Sequence, residues 1–192
     1  MKSIYIILTQ SGTEISKLIK LFTKEPYNHS SICIDESFNE FYSFGRKKAN
    51  YVLPGGFIIE NAFKHVFAKY EKVPCLILKK DITDEQYENL KNNINHFIEN
   101  NNSFSYAIIG LLLANTNFTF VNKSKFFCSQ FVAKLLNDIS IETPKIPAHM
   151  HPMDFTKIAN VQIIYEGELK DFCNTINKEN CKILNKVLVW LK

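Results

Sequence analysis

The chain has 192 residues, 46% hydrophobic and 22% charged, with a net charge of +4 at neutral pH. That length suits one domain, and an apolar content that includes sixteen Phe supports a real core and excludes a disordered chain. The basic residues are scattered in twos and threes, as in Arg46-Lys47-Lys48 and Lys79-Lys80, so they read as solvated surface and no nucleic-acid partner is expected.

Ile4 to Thr9 is a short unbroken apolar run, the pattern of a buried strand. Glu14 to Phe22 has apolar residues at helical spacing, and Pro26 ends it. Ser30 to Asp35 and Phe41 to Phe44 read as strands joined by a polar turn. Gly45 to Gly56 is a loop rich in breakers, Phe57 to Glu60 a short strand, Asn61 to Tyr70 a helix and Val73 to Leu78 a strong strand. Thr83-Asp84-Glu85-Gln86 is a capping box that opens a helix running to about Ile98.

Glu99 to Ser103 is a polar loop, and Tyr106 to Ala114 an apolar, buried helix. Asn115 to Ser124 connects it to a helix over Phe127 to Asn137. Thr143 to Asp154, with three Pro and two His, is an irregular loop, and Val161 to Tyr165 is a strand. The tail carries an apolar stripe at 184, 187, 188 and 191, which predicts a terminal helix docked on the body. Strands and helices mix without regular βαβ alternation. The expected class is therefore α+β with a mainly antiparallel sheet, residues 1–165 forming the domain and 166–192 a helical extension packed on it.

Five Cys stand at 33, 75, 128, 173 and 181. Ile4 to Leu8 is too short for a signal-peptide core, and the longest apolar run, Ala107 to Ala114, is too short to span a bilayer. A cytoplasmic protein with reduced thiols, no disulfide framework and no transmembrane segment is expected, although the spacing of Cys173 and Cys181 permits a bridge. His149 and His151 lack acidic or Cys partners at metal-site spacing, so no metal or other cofactor is expected. His65 and His96 read as surface residues, and Cys33 and Cys75 as core.

Two segments carry chemistry. Cys128 opens the helix over Phe127 to Asn137, where unpaired N–H groups and the helix dipole favour a thiolate and can hold an oxyanion. Its helical neighbours at 131, 132, 135 and 136 are Phe, Val, Leu and Leu, so periodicity alone makes it a small core residue. His29 opens a strand of alternating polarity and, alone, reads as an exposed or hydrogen-bonded imidazole.

Together they resemble one family. Asn28-His29-Ser30-Ser31-Ile32, Cys128-Ser129-Gln130-Phe131-Val132 and Pro152-Met153-Asp154-Phe155 match, in order, the His strand, nucleophile helix and later Pro-x-Asp turn of circularly permuted, NlpC-type papain-like cysteine hydrolases. That group is related to the lecithin-retinol acyltransferase fold. Tyr42-Ser43-Phe44-Gly45-Arg46 and Gly55-Gly56-Phe57 are similar to segments of uncharacterised bacterial members. The resemblance covers residues 1–160 and implies a half-barrel of antiparallel strands packed on the nucleophile helix.

It further implies that Cys128 attacks an acyl carbon and that His29 serves as base, then acid. A polar residue on the next strand would orient the imidazole: Ser43 first, Glu40 second, with Glu60 one strand further a third candidate and a main-chain carbonyl also able to serve. Tyr106 is the oxyanion donor by family analogy, with core packing as its alternative, and Ser129 belongs to the oxyanion or substrate site. The expected function is an amidase or peptidase acting on a small peptide, amide or ester. A lipid-directed thiol acyltransferase or phospholipase, and a non-catalytic binding module of the same fold, are the alternatives. Oligomeric state is not legible in the sequence.

Overall fold

The computed structural model describes residues 1–10, 25–47, 55–107, 110, 116, 119 and 122–190, and of 181–190 the backbone only. The helix expected over Glu14 to Phe22 lies outside the described residues. So does the loop over 48–54 and most of the segment from 108 to 121.

Six strands form one antiparallel sheet: β1 (Lys2–Thr9), β2 (His29–Cys33), β3 (Phe41–Arg46), β4 (Gly55–Glu60), β5 (Pro74–Ile82) and β8 (Gln162–Glu168). Their order is β4-β3-β2-β1-β5-β8. The unbroken apolar run of β1 is explained by its place between β2 and β5 with both faces covered. Ile4, Ile6 and Leu8 face one core, and Tyr5 and Ile7 face the other.

The first core lies under two helices, α2 (Asp84–Glu99) and α3 (Cys128–Asp138). Leu90, Ile94 and Phe97 from α2 meet Phe131, Val132, Leu135 and Leu136 from α3 there. Phe44 of β3, Phe57 of β4, Phe97 and Phe131 form an aromatic cluster, with centroids 5.1 Å apart for Phe44–Phe131 and 5.0 Å for Phe97–Phe131. The second core is closed by Phe67 of the single turn α1 (His65–Ala68) and by Leu169 and Cys173 of α4 (Leu169–Trp190).

Four expectations are corrected. The helix over Asn61 to Tyr70 shrinks to α1, because the Asn61 side chain caps the Phe63 N–H at 2.9 Å and His65 takes a positive φ of 53°. Tyr106 does not begin a helix. Ser105–Tyr106 is a short strand, β6, parallel to β7 (Lys125–Phe126), and the Ala107 N–H donates to the Phe126 carbonyl at 2.9 Å.

The breaker-rich stretch from Gly45 to Gly56 is shorter than expected, since β3 runs to Arg46 and β4 starts at Gly55. The sheet also claims residues through Glu168. The terminal helix starts at Leu169, where the tail expected from Leu169 to Lys192 begins, and docks through Leu169, Phe172, Cys173 and Ile176, while the expected stripe from 184 to 191 lies outside the described side chains. Among the described residues no helix is long and apolar enough to cross a membrane.

Candidate active site

Helix α3 begins without the usual cap. Phe127 occupies the N-cap of α3 and offers no side-chain acceptor, so the first-turn N–H groups are not consumed by a capping oxygen. Cys128 follows at once and is 2% exposed. Its sulfur is hydrogen-bonded to the His29 side chain and faces the backbone N–H groups of Ser30 and Ser129. Burial pushes the thiol's pKa up, but the His29 hydrogen bond and charge, together with those two N–H groups, outweigh it and leave the thiol below its ordinary value.

His29 sits at the start of β2, paired with Thr9 of β1. Its Nε2 lies 2.9 Å from Glu60 Oε2 and 3.2 Å from Glu60 Oε1. Burial lowers the affinity of the imidazole for a proton. The Glu60 charge and the hydrogen bonds to Cys128 and Glu60 overcome this and hold its pKa well above the ordinary value. With Nε2–H given to Glu60, the lone pair of the neutral ring is on Nδ1, where a thiol proton can be taken.

Ser31, on the same strand, donates its hydroxyl to Glu60 Oε2 at 2.6 Å and lies 3.4 Å from His29 Nε2. The carboxylate is thus held by both a hydroxyl and an imidazole in a largely water-free setting, since Glu60 is 7% and Ser31 1% exposed.

Of the three sequence candidates for orienting His29, Glu60 is the one in contact. Ser43 instead donates to the Ser30 carbonyl at 2.7 Å, tying β3 to β2, and Glu40 accepts from the Tyr42 hydroxyl at 2.9 Å. Ser43 does not touch His29; the carboxylate that does reaches across β3 from the edge strand β4, a placement that strand pairing alone discloses.

Tyr106 is brought beside Cys128. Burial and then the Cys128 charge push its phenol well above its ordinary pKa, so it remains an O–H donor. Gly55 makes the approach of Tyr106 to β4 possible, since a Cβ there would stand 2.7 Å from Tyr106 Cβ and 3.0 Å from the Gly45 carbonyl oxygen. The Ser129 side chain does not join the site. Its hydroxyl donates to the Met150 carbonyl at 2.6 Å and anchors the chain before the Pro152 turn, so that only its backbone N–H faces the sulfur.

Sequence reading did not single out Ser31 for this role; its alternation with His29 on one strand face was the available signal. Cys33, Cys75 and Cys173 are free thiols buried in the second core. His149 accepts or donates to Thr119 at 3.0 Å, and no group of three or more His, Cys, Asp or Glu side chains is disposed for a metal ion among the described residues. Comparison of the chain with protein-family models and with curated proteins finds no match.

Proposed function

We propose that the chain is a cysteine-dependent hydrolase of the permuted papain-like kind, cleaving an amide or ester through a thioester on Cys128. The observation that carries this reading is the buried relay Cys128–His29–Glu60 at the uncapped N-terminus of α3. An antiparallel sheet with the nucleophile helix on one face is the frame such a relay needs.

The Cys128 thiolate adds to the acyl carbon, and the carbonyl electrons move to oxygen. The free N–H groups of the first turn of α3 and the Tyr106 O–H receive that oxyanion. As the tetrahedral species collapses, the C–N or C–O bond breaks and the His29 imidazolium gives its proton to the departing amine or alcohol. Neutral His29 then takes a proton from water, whose oxygen attacks the thioester. Cleavage of the C–S bond releases the acid and restores the thiolate beside the imidazolium. Glu60 stabilises the imidazolium in each charged stage, and Ser31 fixes the carboxylate that does so.

The test is thiol labelling with iodoacetamide near neutral pH, combined with a panel of small amides and esters. Wild type is expected to label fastest at Cys128 and to hydrolyse part of the panel, while Cys128→Ala and His29→Ala hydrolyse none of it. Slowest labelling at Cys128, or turnover by Cys128→Ala, would refute the reading. Fatty-acid release from phospholipid vesicles by wild type, with no turnover of the amides, would assign the same relay to a lipid substrate. Fast labelling with no turnover on either panel would point to the non-catalytic module.

A further inference from the structure

Beside Glu60, along β4, lies a pocket of about 260 Å³. Phe57, Ile59 and Phe67 contribute its apolar part, and Arg46, Lys47, Lys64 and His65 bring nitrogen donors to it. Against three permanent cations its lining holds one acid, Glu60, and that carboxylate already accepts from His29 and Ser31. Neither Lys47 nor Lys64 has a carboxylate partner among the described residues. Two lysines gathered in a concave site without a carboxylate partner set up a positive potential that selects anions.

The Lys47 stem lies over Gly56, where a Cβ would stand 2.7 Å from Lys47 Cε and 2.8 Å from the Phe104 carbonyl oxygen. Its ammonium then donates to Asn101 Oδ1 at 2.9 Å, a neutral partner that fixes the position without cancelling the charge. Also in the lining, His65 is held at a φ of 53°, an unfavoured backbone state for a side-chain-bearing residue.

We infer that this pocket binds an oxyanion, a carboxylate or a phosphate, and that the group it takes is the anionic substituent of the acyl substrate. The second half of the statement rests on the hydrolase reading; the first does not. A volume near 260 Å³ suits one small charged group and little more. Glu60 ties the two sites together, since it faces both the pocket and His29. The anion would therefore seat the scissile bond at a set distance from the relay.

The experiment is a titration of the full chain, followed by backbone amide NMR, with inorganic phosphate in one arm and succinate in the other. At least one anion is expected to saturate with shifts concentrated at residues 46–47, 57–60 and 64–67. The arm that saturates at lower concentration names the source. In the double variant Lys47→Gln/Lys64→Gln the dissociation constant should rise about tenfold. Asn101→Ala, which only frees Lys47, should raise it by less, and Lys91→Gln on α2 should leave it unchanged. No saturable shift with either anion, or an unchanged constant in the double variant, overturns the inference. Because the readout needs no turnover, the pocket can fail while the relay stands, and the relay can fail while the pocket stands. Should both stand, esters bearing a carboxylate should show a lower KM than neutral esters in wild type but not in the double variant; equal KM values would overturn the link to substrate.

Discussion

At the residue scale the chain contrasts cysteines of one kind in two environments. Burial raises all four described thiols, pushing Cys75 and Cys173 up to about 12 and Cys33 higher. Cys128 alone among them is returned below its ordinary value, because only it meets an imidazole; the backbone hydrogen bonds that Cys33 and Cys75 also receive do not offset their burial. The thiolate–imidazolium pair exists between two protonation steps that belong to the pair as a whole. On the acid side the thiolate is lost as pH falls through the depressed thiol value. On the alkaline side the imidazolium is lost as pH rises through the raised His29 value. Iodoacetamide labelling of Cys128 should therefore already be fast below the ordinary thiol range of about 8.5. Hydrolysis should follow a bell-shaped pH profile. Glu60→Gln removes the charge that holds the imidazolium, so the alkaline limb should move to lower pH while the acid limb does not rise. Turnover should fall about 10- to 100-fold, the worth of a buried hydrogen bond to a charged group. Ser31→Ala removes one hydrogen bond to that carboxylate and leaves little cavity. About tenfold lower turnover is expected, with the alkaline limb shifted downward, because the carboxylate that holds the imidazolium is less firmly fixed, and the thermal midpoint nearly unchanged. A lower midpoint with an unmoved limb would make Ser31 structural only.

At the element scale the site depends on the ends of elements, where backbone groups are unsatisfied. The start of α3 is left uncapped by Phe127 and is held by Ser129 on the Met150 carbonyl and by the turn that follows. That turn is organised by Asp154. Burial raises its carboxyl, but the hydrogen bonds from Lys145, the His151 N–H and Lys157 outweigh this and hold it below the usual carboxylate range. A depressed folded value means that its stabilisation is present above the unfolded carboxylate pKa of about 3.9 and is lost as pH falls through the folded value. Wild type should lose stability in acid across that window. Asp154→Asn should be less stable at neutral pH and show a weaker acid dependence, as measured by denaturant titration at several pH values. The β4 end gives a second test. Gly55→Ala forces Tyr106 away from β4, since two backbone-borne atoms would meet the new methyl. Turnover should drop more than stability, and comparison of kcat with the unfolding midpoint checks it.

At the scale of the whole molecule, one aromatic core joins the sheet to the helix that carries the thiol. Phe131 packs on Phe44, Phe57 and Phe97, from β3, β4 and α2, so Phe131→Ala should cost about 3–5 kcal/mol in denaturant unfolding and disturb the relay with it. Much of this frame was legible in the chain. Apolar runs placed β1 and β5, and the Thr83 capping box placed α2, with Gln86 N–H on Thr83 Oγ1 at 3.1 Å. The apolar face from Phe131 to Leu136 placed α3, as these signals are local and periodic. Local pattern misled where a neighbour decided the conformation: Tyr106 is extended because β7 pairs with β6, whatever its apolar context favours. The sequence by itself determined the α+β class, the mainly antiparallel sheet and the positions of two side chains, a thiol at a helix start and an imidazole at a strand start. It did so because hydrophobic period and end position are properties of contiguous residues. Only the tertiary structure decided that Glu60, not Ser43, meets His29, that Ser31 holds it, and that Lys47 and Lys64 share a pocket with it. Those relations depend on strand order across β3 and on which side chains twist toward a common point, and no spacing along the chain encodes either.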